Sequence, residues 1–223
     1  MSSADGSLVL SFNGEVYNFR EIRAELEGKG HAFRGGSDTE VMLAAFREWG
    51  LEAAVRRFIG MFAFALWDSG ARKLYLVRDR LGIKPLFLAR LPGMLLFASE
   101  LKAILAYPDF PRKVDRSALQ YFLEFQYVPG PHAIYLNVEK VLPGHIVEID
   151  VDGKITDRAY WDLFDHWGKP KDRPRTEEEC VEELSALLDS SIRYRMISDV
   201  PLGVFLSGGI DSSSIVANMA KVR

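Results

Sequence analysis

Two short stretches of the sequence combine residue types that bind anions or polarise carbonyl groups. In the first, residues 203–216 (GVFLSGGIDSSSIV), two apolar runs enclose serines and glycines. A strand that enters a helix through a Ser-Gly-Gly turn directs backbone N–H groups at an anion, and the hydroxyls of Ser207, Ser212 and Ser213 would add donors. No lysine follows the glycines, so this is not a G-x-x-x-x-G-K-[ST] loop. The simpler interpretation is a Gly/Ser turn in which Asp211 is an ordinary N-terminal helix residue.

The second stretch is residues 12–18 (FNGEVYN), followed downstream by residues 37–40 (SDTE). An exposed Asn13-Gly14 turn at a strand end would offer a side-chain amide and a backbone N–H about 3 Å from a developing oxyanion. A carboxylate such as Asp38 would hold the amino group of an amino acid. Taken singly, each has a simpler interpretation, since Asn-Gly is common in turns and Asp-Thr-Glu is common at helix starts.

Composition narrows the class of protein. The chain has 223 residues, of which 48% are hydrophobic and 26% charged, with a formal net charge of -3. This balance gives no electrostatic reason for nucleic acid or an acidic membrane surface as a partner. Residues 58–67 (FIGMFAFALW) are the longest apolar run and reach about half of the roughly 20 residues of a membrane helix. The first residues lack the features of a signal peptide. We therefore predict a cytoplasmic protein.

The single cysteine and the four histidines predict neither a disulfide nor a metal site. Cys180 has no partner cysteine in the chain, which favours a reducing compartment. Its predicted helix carries several glutamates, and neighbouring carboxylates disfavour a reactive thiolate, so it is a poor nucleophile. The histidines show no metal-ligand spacing and are His31, His132, His145 and His166.

Periodicity and turn residues predict a layered α+β domain. The first strand, residues 8–12, should break at Asn13-Gly14. Further strands are predicted at residues 61–67, 73–78, 86–90 and 95–99, with a strand pair within 138–150. Helices are predicted at residues 17–29, 38–50, 52–58, 100–106 and 116–125. Strands grouped between helices suggest α+β layering rather than βαβ alternation.

A charged, proline-containing linker at residues 165–175 should separate this domain from a second one. Thr176 and Glu179 match a capping box at the start of a helix. Residues 203–206 read as a buried parallel strand and residues 210–219 as a helix. The predicted division is residues 1–164, the linker, and residues 176–223.

Residues 206–213 (LSGGIDSS), preceded by residues 199–201 (DVP), resemble the pyrophosphate loop of ATP pyrophosphatases of the asparagine synthetase type. The resemblance implies that ATP is cut between its α and β phosphates to adenylate a carboxylate. It also implies that Leu206 borders the nucleotide and that Asp211 organises the magnesium–pyrophosphate end. The residues implied to cradle phosphates are Ser207, Gly208, Gly209, Ser212 and Ser213.

Five segments in order are similar to the glutamine amidotransferase domain of glutamine-dependent asparagine synthetases. They are FNGEVYNFREI, GGSDTEV, FIGMFAFALWD, RDRLGIKPL and FASELKAI. The resemblance implies a class II amidotransferase on the N-terminal nucleophile hydrolase fold, an α/β/β/α arrangement here lacking its first strands. A first β-α unit of an adenine-nucleotide-hydrolase-like α/β domain would follow. By this resemblance Asn13 and Gly14 form the oxyanion hole, Glu15 lines the glutamine site and Asp38 binds the α-amino group of glutamine.

The family's N-terminal cysteine nucleophile has no counterpart in the residues before Asn13, so we expect a segment of a larger enzyme, truncated at both ends and inactive alone. The implied parent is a glutamine-hydrolysing asparagine synthetase that uses glutamine, ATP with Mg2+, and aspartate. Two alternatives remain: an amidotransferase for another carboxylate, such as a sugar acid or cell-surface precursor, and an inert glutamine-binding or assembly module. The oligomeric state is open, with a homodimer as one option for the parent.

Overall fold

The structure is a computed structural model that describes residues 1–168, 175–198 and 200–222. It divides into two compact units, Met1–Asp165 and His166–Arg223. Within the described residues, no helix has the length and apolarity needed to cross a membrane.

The first unit contains eight strands, five α-helices and a 3-10 helix at Leu163–Asp165 among its described residues. The strands are β1 (Leu8–Val16), β2 (Gly60–Asp68), β3 (Lys73–Arg78), β4 (Phe87–Leu91), β5 (Met94–Ala98), β6 (Val138–Lys140), β7 (His145–Asp150) and β8 (Ile155–Ala159). The helices are α1 (Phe19–Gly28), α2 (Asp38–Trp49), α3 (Leu51–Arg57), α4 (Leu101–Leu105) and α5 (Arg116–Phe125). Antiparallel pairing joins the strands into a five-stranded sheet, ordered β1-β2-β3-β7-β8, and a three-stranded sheet, ordered β5-β4-β6.

Alternation along the strands divides the core into three layers of side chains. In β2, Phe62, Phe64 and Leu66 pack against residues of α1, α2 and α3. The intervening Ala63 and Ala65 face the second sheet, because successive strand side chains point to opposite faces. The other face of the second sheet packs against Ile104 of α4 and against Phe110 and Ala133. The result is a helix–sheet–sheet–helix sandwich, which confirms the predicted α+β layering.

A loop following β3 links the two sheets. The buried Asp79 carboxylate accepts hydrogen bonds from the backbone N–H groups of Phe62, Leu81, Ile83 and Lys84, at 2.9 to 3.2 Å. The neighbouring Arg78 guanidinium donates to the carbonyls of Gly82, Lys84 and Val141, and burial lowers its pKa. The RDRLGIKP segment, residues 78–85, therefore has a structural role: its hydrogen bonds hold the loop between the two sheets.

Two predictions for this unit are wrong. The first strand does not break at Asn13-Gly14 but continues to Val16, because β2 pairs with it residue by residue over its whole length. Tertiary pairing therefore outweighs the turn preference of Asn-Gly. Residues 138–150 do not form a strand pair, since β6 joins the second sheet and β7 the first. β8 was not predicted, because its sequence ITDRA is polar and the strand lies at a sheet edge.

The second unit contains α6 (Glu177–Arg195) and α7 (Ile210–Val222). The predicted capping box is confirmed: Glu179 N–H donates to the Thr176 hydroxyl and Thr176 N–H donates to the Glu179 carboxylate. The predicted buried strand at residues 203–206 is wrong, because Phe205 is 99% exposed and no strand forms there. The described part of this unit contains no strand with which residues 203–206 could pair. Residues 169–174 of the predicted linker, and Asp199, lie outside the described residues.

Candidate active site

Asn13, Gly14 and Glu15 lie in the second half of β1, at the edge of the first sheet. Asn13 and Glu15 are both exposed and, being two residues apart, share one face of the strand. Gly14 lies opposite Phe62 of β2 and packs so closely that a Cβ atom would be 2.1 Å from the Met61 carbonyl oxygen. Only glycine fits there without displacing backbone.

The backbone of Gly14 points away from β2. Its partner Phe62 accepts a hydrogen bond from Asp79 N–H at 2.8 Å and donates to the Asp79 carboxylate at 3.2 Å, so the backbone groups of Phe62 face β3. In an antiparallel pair the residue opposite then directs its own N–H and C=O to the other side. Hydrogen bonds hold this outer edge at Leu10, which pairs with Met1, and at Val16. Gly14 N–H lies between these two points and is directed outward.

Asp38 is brought to the end of β1 across a sequence separation of 22 residues. It is the first residue of α2, which Ser37 caps by accepting a hydrogen bond from Thr39 N–H at 3.1 Å. Its carboxylate accepts from Val16 N–H at 3.0 Å and from the Thr39 hydroxyl at 3.2 Å. The helix N-terminus also favours a negative charge there. The structure therefore gathers Asn13, Gly14, Glu15 and Asp38 along one strand end, and Asp38 also anchors α2 to β1.

The side-chain amide of Asn13 has a partner that the sequence analysis assigned no role. Asn13 Nδ2 donates to the Ser99 hydroxyl at 3.0 Å, over a separation of 86 residues. Ser99 directly follows β5, the edge strand of the second sheet. Ser99 belongs to the FASELKAI segment. The sequence therefore showed the motif, but not the hydrogen bond between Ser99 and Asn13.

A cavity of ≈ 470 Å³ lies between residues 1–4, the 31–37 loop and α2. Its lining includes Ser37 and Glu40, but neither Asp38 nor the three β1 residues. The Glu40 carboxylate accepts from Arg34 N–H at 2.8 Å and from Gly35 N–H at 2.9 Å, and these bonds lower its pKa despite partial burial. Glu40 thus holds the loop that precedes Asp38.

The Ser-Gly-Gly loop of the second unit forms a compact turn into α7. Gly208 has a φ of +79°, and the Ser207 and Ser212 hydroxyl oxygens lie 2.9 Å apart. Ser212 Oγ and Ser213 N–H both donate to the Gly209 carbonyl, at 3.1 Å each. Leu206 and Asp211 are exposed beside this turn. The predicted loop residues are therefore contiguous around the start of α7, although the strand expected before them is absent from the described residues.

No group of three or more His, Cys, Asp or Glu side chains gathers into a metal-binding arrangement within the described ranges. Cys180 lies exposed on α6.

The fold is shared with solved amidotransferases. The chain aligns over its full length with 46% of a glutamine phosphoribosylpyrophosphate amidotransferase from Bacillus subtilis, at a TM-score of 0.50 and 18% identity. A second structure, described as the allosteric regulatory enzyme of purine biosynthesis, aligns with 99% of this chain and 44% of its own, at a TM-score of 0.52 and 20% identity. At these identities the likeness shows the fold, that of the N-terminal nucleophile hydrolases. The predicted layered fold of the first unit is confirmed, whereas the β-α unit predicted after it lacks its strand in the described residues.

Residues 1–161 match the glutamine amidotransferase domain family and residues 183–223 match the asparagine synthase family. The chain belongs to the glutamine amidotransferase domain family. It is 43% identical, over 97% of its length, to glutamine-hydrolysing asparagine synthetase 1 of Bacillus subtilis, and 38% identical, over 92%, to synthetase 3 of that organism. A Penicillium rubens protein named amidase chyE is 33% identical over 97% of the chain. The chain spans about a third of the length of these relatives, 33%, 33% and 31% respectively.

Proposed function

We propose that this chain is part of a glutamine-hydrolysing asparagine synthetase. The observation that carries the proposal is the order of the two matched segments, an amidotransferase domain at residues 1–161 and an asparagine synthase segment at 183–223. Glutamine and water would give glutamate and ammonia at the first site. At the second, ATP would adenylate aspartate with release of pyrophosphate, and ammonia would displace AMP to give asparagine.

In the first site the residues would bind glutamine and polarise its side-chain amide. The outward Gly14 N–H and the Asn13 amide would donate to the carbonyl oxygen as negative charge develops on it, which is the role of an oxyanion hole. Asp38 would pair with the α-ammonium group, and Glu15 would line the pocket from the same face as Asn13. The four residues include no nucleophile, so the proposal assigns them binding and charge stabilisation rather than the covalent step.

In the second site the turn into α7 would hold the phosphates of ATP. The Ser207 and Ser212 hydroxyls, the backbone of Gly208 and Gly209, and Ser213 surround a helix N-terminus, and such an arrangement favours phosphate oxygens. Leu206 would border the nucleotide. Asp211, on the first turn of α7, would face the magnesium ion that accompanies ATP.

Calorimetric titration of the 223-residue chain with L-glutamine tests the first site. We expect saturable binding that Asp38→Asn weakens at least tenfold, about 1.4 kcal/mol. Asparagine keeps an oxygen for the Val16 N–H but loses the charge that pairs with the ammonium group. Asp152→Asn, in the turn between β7 and β8, is the matched control and should bind as the wild type does. A flat wild-type titration, or equal affinities in all three proteins, contradicts the assignment.

Amidation of a different carboxylate is the second candidate function, supported by the similarity to a protein named amidase. Carboxylate-dependent exchange of labelled pyrophosphate into ATP distinguishes these two functions. It is measured on the full-length enzyme of which this chain is proposed to be a part. Aspartate-dependent exchange supports the synthetase, whereas exchange with only another carboxylate supports the alternative. Glutamine binding with no exchange for any carboxylate would favour the glutamine-binding or assembly module.

A further inference from the structure

We propose that Ser99 is a positioning residue that holds the Asn13 side-chain amide, so that the second N–H of this amide faces the side-chain carbonyl of bound glutamine. The inference rests on the function proposed above. It adds to the site a residue from the opposite sheet, one that contacts Asn13 rather than the substrate.

The contact joins the edges of the two sheets. Asn13 lies in β1, the edge strand of the five-stranded sheet, and Ser99 directly follows β5, the edge strand of the three-stranded sheet. The Asn13 Nδ2 to Ser99 Oγ distance is 3.0 Å, within the normal range for a hydrogen bond. Asn13 is exposed, and the terminal torsion of asparagine is broad, so without this partner its amide would rotate widely.

Ser99 is itself fixed by regular structure on both sides. The preceding Ala98 pairs with Phe87 of β4, and α4 begins two residues later at Leu101. A side chain held between a strand end and a helix start has little freedom to follow its partner, and sites supported in this way keep their geometry more closely than sites on loops. The hydroxyl therefore acts as a stationary acceptor for the amide.

The chemistry of the amide gives the contact its meaning. A primary amide carries two N–H donors and one carbonyl acceptor. When Ser99 accepts from one N–H, the plane of the amide is fixed and the second N–H points about 120° away, ready to donate to an oxyanion without reorganisation. If the amide were turned over, Oδ1 would accept from the hydroxyl instead, and the NH2 group would move to the position that Oδ1 now occupies.

Side-chain amide resonances of the ¹⁵N-labelled chain test the proposal. Asn13→Asp identifies the Asn13 signals by their loss. We expect Ser99→Ala to shift one Asn13 Hδ2 resonance toward the value of a solvated amide, and Ser99→Thr, which keeps the hydroxyl, to restore it. L-Glutamine should move the other Hδ2 resonance in the wild type and in Ser99→Thr, and this response should be lost in Ser99→Ala.

Ser69→Ala is the matched control, since it removes a serine hydroxyl that bonds the Ser7 carbonyl at 2.9 Å, far along β1 from Asn13. It should leave both Asn13 resonances and their glutamine response unchanged, and backbone spectra report whether each variant is folded. Identical Asn13 amide signals in the wild type and Ser99→Ala overturn the proposal. So does a glutamine response of Asn13 that survives in Ser99→Ala. A Ser99-dependent amide signal with no glutamine response at any residue instead overturns the proposed function, and the positioning role with it.

Discussion

Replacing Gly14 with alanine tests how closely β1 and β2 pack at the candidate site. The added Cβ would lie 2.1 Å from the Met61 carbonyl oxygen and 2.6 Å from the Phe62 Cα, and both are backbone atoms that no side-chain rotation can move. Ordinary contacts between heavy atoms are about 3.5–4.0 Å, so the two strands would have to separate by roughly 1.5 Å. The φ of +150° at Gly14 is also one that alanine rarely adopts.

The magnitude follows from these two effects. Overpacking a close contact costs about 1–3 kcal/mol, and holding a residue in a sparsely populated backbone region costs about 1–3 kcal/mol more. We expect Gly14→Ala to lower the free energy of unfolding by about 3 kcal/mol. At roughly 2–4 °C per kcal/mol for a chain of this size, the melting temperature should fall by about 10 °C.

Urea and thermal unfolding followed by circular dichroism measure the effect. Gly28→Ala, at the end of α1, is the control, because its Cβ would meet open space and the substitution should be neutral or stabilise by up to about 1 kcal/mol. Gly60→Ala should cost about 1–3 kcal/mol, because its Cβ would lie 2.2 Å from the Glu15 carbonyl oxygen but its φ is not in the positive range. A Gly14→Ala protein as stable as the wild type would refute the register that pairs Gly14 with Phe62.

Two further predictions concern buried and half-buried carboxylates. Asp79→Asn should lower the free energy of unfolding by about 2–3 kcal/mol, because one of its two oxygens becomes an NH2 group facing backbone donors. Asp150→Asn, at the end of β7, should cost under about 1 kcal/mol in the same urea titration, because asparagine keeps the Oδ1 that accepts from Asp152 N–H and Lys154 N–H. Glu40 has a pKa below its ordinary 4.5, chiefly through the hydrogen bond from Arg34 N–H, so it contributes stability above about pH 4.5 that is lost as the pH falls through the folded-state pKa. The stability gap between wild type and Glu40→Gln should therefore narrow as the pH falls below about 4.5, whereas a gap that is constant with pH contradicts this account.

Local patterns predicted most helices and strands of the first unit. The strand at Lys73–Arg78 and the helix at Arg116–Phe125 have the predicted limits, because a run of β-formers or a periodic apolar face ends at turn residues there. The predicted strand at residues 203–206 did not form, because its formation depends on other strands rather than on the local pattern. An apolar run becomes a parallel strand only when neighbouring strands pair with it, and sequence periodicity carries no information on whether those neighbours are present.

Contacts between distant segments limited how much of the candidate site could be predicted from the sequence. The spacing of Asn13, Gly14 and Glu15 is local and could be read directly. The hydrogen bond from Val16 to Asp38 and that from Asn13 to Ser99 depend on how α2 and β5 are placed beside β1, across separations of 22 and 86 residues. The motif containing Ser99 was visible, but the partner of its hydroxyl depends on sheet packing.

The wrong prediction at Asn13-Gly14 has a chemical consequence. If Asn13 and Gly14 formed a turn, both residues would be exposed because they lay in a loop. In β1, strand alternation sends the Asn13 side chain to one face and directs Gly14 N–H to the outer edge, where Val16 N–H also finds Asp38. Only an edge strand leaves such an N–H available, and open edges otherwise favour unwanted pairing. A further strand paired with β1 at Gly14 would occupy this donor, so a site of this design needs β1 to remain open there while Asp38 closes the edge just beyond it.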